Sequence, residues 1–539
     1  MRFFSFLIIL LVLAASPEIA QAQEHTCAGG AGSGDLGQLG EVVFPNSGAA
    51  AAQPAFLRGL ALLHSFEYED AALSFREAQT LDPHFAMAYW GEALSYRHPL
   101  WNEEDLEAAR GALARLGPTP EARAAHAPTP RERAYMAAVE ALYAEGPQPQ
   151  RDRNYEAALR RLHTDYPDDD DATTLYALAL VSTHYYEPPE DRRRAWVQAA
   201  ALLDDVFARH PQHPGAAHYL IHSLDDAVLA PLALPAARVY ADIAPSAQHA
   251  LHMPSHIFLQ LGHWDDVVAS NEDAYAASQA WAARKGYDAT ERDWHSFAWL
   301  QYGYLQQGRF SEAAALMDTA RVHLRPAPGE PPYRGMAFSL AFMGQQLASA
   351  TGDWAALAED ALPDAGYALY VNGMIAAEVG DSARLAAITA QTRALADTLS
   401  NPAQRLRWEI VTLVFDAYGT RQRGDLPQAL HMISGAADLY DGMVLSGPPQ
   451  YVPPSEIMGT WLLQRGYAEE AAVAYDRSLA RAPGRMQALL GRARAAVRME
   501  RPDEAAEYYA RLLAGWHHAD PTLPALLEAR EGAATAGTH

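Results

Sequence analysis

Apolar positions along this chain recur at intervals of three and four residues, and runs of alternating β-branched residues are absent. That spacing predicts amphipathic helices nearly throughout. In FEYEDAALSFREAQTLDP, residues 66–83, Tyr68, Ala71, Phe75, Ala78 and Pro83 stand on one frame. The same frame returns at Trp196, Ala199, Leu203, Val206 and Pro211, and again at Trp264, Val267, Asn271 and Ala274. It returns once more at Phe310, Ala313 and Met317, at Ala471, Tyr475 and Pro483, and at Ala505, Tyr509 and Leu512. Pro211 and Pro245 lie thirty-four residues apart. A period of that length means a repeated supersecondary unit whose apolar face is buried only by stacking on its neighbours. Proline at the close of a unit cannot continue its helix and fixes the turn.

These segments resemble the tetratricopeptide repeat (TPR), with Gly59 in FLRGLALLH where that family places a small residue between helices. The resemblance implies an all-α fold, a right-handed TPR α-solenoid superhelix of antiparallel helix pairs with a concave inner face. The expected organisation is a signal peptide over 1–22, a tail over 23–47 and an N-terminal solenoid with a histidine-lined groove over 48–323. A Pro-rich linker, LRPAPGEPPYRG, covers 324–335, and a C-terminal TPR-like solenoid over 336–530 precedes a tail over 531–539. GPTPEARAAHAPTPRERAY and EGPQPQRDRNY read as connectors. The acidic run Asp168–Asp171 reads as a solvated loop and helix start, because the alternating ligands and glycine of an EF-hand are missing.

The first residues change the picture of compartment. Arg2, the apolar run FFSFLIILLVLAA and Ala20-Gln21-Ala22 make an export signal with cleavage expected before Gln23, and hence a periplasmic or extracellular protein. No later segment has eighteen unbroken apolar residues, so no membrane span is expected after cleavage. Cys27 is the only cysteine and makes no internal disulfide. The formal net charge of -25 opposes phosphate neutralisation, which argues against a nucleic-acid partner. Lys285 is the only lysine, and the clamp that grips a peptide carboxylate in other TPR grooves needs lysine and arginine there; Arg97 is the main cation at such a position.

The candidate chemistry is in QHALHMPSHIF. With Pro245 closing the preceding unit, His249, His252 and His256 fall at positions 2, 5 and 9 of the next first helix, within about 60° of arc. In HYLIHSLDD the same frame puts His218 and His222 one turn apart, followed by Asp225 and Asp226. His295 falls at position 2 of the following unit, and His64 and His98 lie thirty-four residues apart at position 13. His184 sits near the groove end of another first helix, and Trp90 at position 5 is a candidate stacking platform. Three readings stay open: half-buried packing histidines, a site for zinc, copper, nickel or iron, or a groove that responds to pH or binds anions.

An enzyme is not the favoured reading. HYLIH has Tyr219 where a zinc protease carries its glutamate base, and no GxSxG, phosphate loop or dinucleotide fingerprint is present. A metal-dependent hydrolase with Asp225 or Asp226 as ligand or base is the alternative. The stretches FLRGLALLHSFEYEDAALSFREAQTLDPHFAMAYWGEALSYRHPLW, HPGAAHYLIHSLDD and ARVYADIAPSAQHALHMPSHIFLQLGHWDD resemble a family of exported bacterial TPR proteins. That resemblance implies the fold and carries no activity. The expected function is an exported scaffold for a protein or peptide in its groove, with a histidine-held metal as the finer possibility.

Overall fold

In the computed structural model, residues 37–324, 334–358, 366–444 and 446–534 are described. The export signal, Cys27 and most of the Pro-rich linker lie outside them. The architecture is an all-α, TPR-like solenoid of helix pairs. Gln53–His64 and Tyr68–Leu81 form the first pair, and each helix packs on the next along the chain. First helices of successive pairs also touch, as Gln53–His64 does Ala86–Leu94, and Pro454–Gln464 does Met486–Arg498. Among the described residues the β structure is one antiparallel pair, Arg97–His98 with Glu103–Glu104.

Local chemistry explains why the helices begin and end where they do. Thr129 and Glu132 form a reciprocal capping box, and Asp169 and Asn401 cap their helices through side-chain oxygens. Small residues let neighbouring helices meet on one aromatic ring. A Cβ on Gly59 or Gly91 would stand 3.0 or 2.4 Å from Phe75, and the same arrangement returns with Gly459 and Gly491 at 2.9 and 2.3 Å from Tyr475. The two glycines of each set stand thirty-two positions apart, a step that spans one helix pair, which is why the lock recurs with the repeat.

The superhelix closes on itself. The Trp264 indole donates to the Gly484 carbonyl (3.0 Å), 220 residues away, and the Trp516 indole donates to the Gln306 carbonyl (3.0 Å). Arg485, buried and paired with Glu456, donates to the Tyr302 hydroxyl (3.0 Å). At the other end Gln53–His64 packs against Pro214–Ser223, so the inner face there is filled and not an open trough.

Several expectations are corrected. Residues 37–47 are not a tail: Phe44 is buried against Trp90, Phe56 and Tyr135, and the Glu41 amide donates to the Gln212 carbonyl. At the C-terminus, Pro524–Ala534 is helical and takes in residues 531–534. The acidic run is not wholly solvated, since Asp171 is 1% exposed beneath His64. QHALHMPSHIF is two helices, Gln248–His252 and Pro254–Leu261, because Pro254 has no amide hydrogen to continue the ladder.

Candidate metal centre

His218 and His222 lie on Pro214–Ser223, His249 and His252 on Gln248–His252, His256 on Pro254–Leu261 and His295 on Trp294–Gln306. These are the first helices of three consecutive pairs, as the repeat frame requires. The six rings gather into two groups. The ligand atoms of His218, His222 and His249 lie within 4.8 Å of one another, and so do those of His252, His256 and His295. Three nitrogens on one ion at about 2.05 Å stand roughly 3.4 Å apart, so a small rotation of the rings closes either group.

The hydrogen bonds behind the rings decide which nitrogen faces inward. His218 Nδ1 donates to the His64 carbonyl (2.6 Å). His252 Nδ1 donates to Asn271 Oδ1 (2.7 Å), whose own amide is oriented by donating to the Val267 carbonyl (2.7 Å). His256 Nδ1 donates to Asp225 Oδ2 (2.8 Å). Each partner is an acceptor, so each of these rings carries a proton on Nδ1, and its metal-binding nitrogen is Nε2. The Nε2 atoms of His252 and His256 meet at 3.2 Å, and the Nε2 atoms of His295 and His222, whose Nδ1 partners do not fix their tautomers, approach His252 Nε2 and His218 Nε2 at 3.1 Å each. His249 Nε2 is buried with no hydrogen-bond partner.

Burial drives the rings away from the charged form. Desolvation, helped by the neighbouring imidazoles, holds His222, His249 and His252 well below the usual histidine range. Burial likewise takes His218 down to about 3, against a raising hydrogen bond to the His64 backbone. Clustered neutral imidazoles with lone pairs converging and back nitrogens tied to oxygen are the arrangement that metal-binding histidines use.

The supports reach into the core. His64 is fully buried, with Nε2 on Asp171 Oδ1 (2.8 Å) and Nδ1 facing the Tyr219 hydroxyl (3.1 Å). Its carbonyl thereby becomes a fixed acceptor for His218. Phe66 covers the first group, with its ring 4.4 Å from His218 and 5.5 Å from His249 between centroids. Its φ of 58° is the left-handed conformation that glycine adopts more cheaply at a helix end. Trp299 covers the second group, 4.8 Å from His252 and 4.4 Å from His256.

No family model matches the chain, and no curated protein matches it. Among solved structures it is similar to the human IFIT1 dimer with m7Gppp-AAAA at 14% identity, covering 87% of this chain and 91% of that one, with a TM-score of 0.36. It is similar to yeast Tom70 at 11% identity, covering 90% and 96%, with a TM-score of 0.29. The APC/C hetero-tetramer Cut9-Hcn1 is similar at 10% identity, covering 89% and 90%, with a TM-score of 0.30.

The remaining candidates fall elsewhere. Trp90 is 1% exposed in the Phe44 and Tyr135 cluster and is no groove platform. His98 stacks on Tyr68 (4.1 Å between centroids) beside Glu103, and His184 faces Glu156 at 3.5 Å. Neither belongs to the two groups. Asp226 stands 3.8 Å from Arg193 and caps the Val228 amide. Asp225 is close to the metal-type nitrogens only through His256: its oxygens accept from His256, Gln260 (2.9 Å) and Ser446. It positions a ligand and does not act as one or as a free base. Arg97 is buried and paired with Asp152 (2.9 Å), so it is no peptide clamp. Asn271, Gln260, Phe66 and Ser446 escaped sequence reasoning as site residues. Only Asn271 left a signal, a polar side chain in the core frame of its repeat.

Proposed function

We propose that the protein is an exported helical-repeat protein that binds a transition-metal ion of the zinc or copper class on the imidazoles of its inner helices. The observation that carries this reading is the 3.2 Å approach of His252 Nε2 and His256 Nε2, both lone-pair atoms by their hydrogen bonding. Two such atoms repel unless a cation lies between them. All the inward donors are imidazole nitrogen with no thiolate and no carboxylate among them, which suits zinc, copper, nickel or iron and not calcium or magnesium. The filled inner face beside Gln53–His64 gives a peptide little room at this point, so partner binding ranks second to metal binding here. Export rests on the leader sequence of residues 1–22.

The test is elemental analysis of the full chain after zinc or copper loading and desalting, alongside His252→Ala and His218→Ala. Retained metal that falls in these variants supports the reading. Metal content indifferent to both changes, or none retained, removes it.

A further inference from the structure

The six histidines are too many for one ion, and they are held as two separate sets. His218, His222 and His249 form one triad and His252, His256 and His295 the other, with the ligand atoms in each within 4.8 Å of one another. Every Nε2 to Nε2 contact of 3.1 or 3.2 Å is inside a triad. The ring centroids run on across the two sets, with His222 and His256 5.9 Å and His249 and His252 6.1 Å apart, so it is the ligand nitrogens and not the rings as wholes that divide them. The supports are separate as well. The first triad is anchored through His218 on the His64 carbonyl, and the second through His252 on Asn271 and His256 on Asp225.

We propose that the site holds two transition-metal ions side by side, one on each histidine triad; this rests on the metal-binding reading above. Three protein ligands leave each ion with an open coordination position, the pattern of a reactive centre and not of a closed structural one. Both triads are built of imidazole alone, and Asp225, the carboxylate bound to His256, is engaged by three donors. Neither triad contains an anionic ligand, so two divalent ions there take up a small exogenous anion, hydroxide or halide, at the open positions. Each triad has a side toward solvent: His222 and His249 of the first are half-buried, and His295 of the second is exposed while His252 and His256 are buried.

Native mass spectrometry of the metal-free chain titrated with zinc, and electron paramagnetic resonance after loading with copper(II), test the proposal. The expected result is two ions per chain, with a copper spectrum broadened by the neighbouring spin. His218→Ala/His222→Ala and His256→Ala/His295→Ala should each retain one ion and give the spectrum of isolated copper. His295→Ala, an exposed position that the fold does not need, should weaken only one of two sites by ten-fold or more. One ion per chain, lost on disabling either triad, overturns the pair and leaves metal binding standing. No ion bound to the wild-type chain overturns both.

Discussion

His252 and His256, one helical turn apart across a proline break, point their Nε2 atoms at each other at 3.2 Å while their Nδ1 atoms are bound to Asn271 and Asp225. Neither ring can relieve the contact by exchanging tautomer, because its Nδ1 faces an oxygen that only accepts. The local structure is therefore set for a cation before one arrives.

Removing a support should loosen the metal without removing a ligand. Asn271→Ala leaves His252 free to rotate and to move its proton to Nε2. We expect a loss of metal affinity of about 10- to 100-fold with the helical content kept. Competition titration against a chelator of known affinity reads this directly, and unchanged affinity would show that Asn271 has no positioning role.

Metal should stabilise the fold. An ion that binds the native chain alone adds about 2.7 kcal/mol at one hundred times its dissociation constant. Thermal unfolding with zinc and then with excess chelator should show a higher midpoint in zinc, abolished in His252→Ala. Equal midpoints in the wild-type chain would count against occupancy.

Acid should destabilise the metal-free protein. Burial lowers His64 and takes His218 to about 3, so the folded chain leaves these rings neutral while the unfolded chain protonates them near 6.5. The unfolded state then binds more protons below pH 6.5, and stability falls as pH falls from there toward the folded values. Each such ring contributes about 1.4 kcal/mol per pH unit in that window. Urea midpoints at pH 7.5, 6.0 and 5.0 check it; a flat profile is the contrary result.

Gly215 faces the buried support of the first triad. A Cβ there would stand 2.4 Å from His64 Nδ1, and His64 has no space to retreat. Gly215→Ala should destabilise by roughly 1–3 kcal/mol through overpacking and should weaken metal at the first triad more than at the second. Chemical denaturation together with metal stoichiometry separates the two effects.

Phe44 anchors the segment before the first helix. Phe44→Ala should cost about 3–5 kcal/mol and expose residues 37–47 to protease. Limited proteolysis compared with wild type reports it, and unchanged cleavage would mean that the segment is held by other contacts such as Glu41 to Gln212.

The period of thirty-four residues and the 3.6-residue spacing of apolar positions were enough to determine the helix pairs and to put six histidines on the first helices, because a helix's register sets the azimuth of each side chain by its own geometry. Register says nothing of what a side chain meets. Trp90, His98, His184 and Asp226 share the same frame and end in the core, on Tyr68, beside Glu156 and at Arg193. What separates them from the histidine triads is the curvature of the stack. Gln53–His64 closes on Pro214–Ser223 and Ser446 reaches Asp225, contacts whose hydrogen bonds join residues 154 and 221 positions apart and that only the accumulated rotation of the repeats brings together.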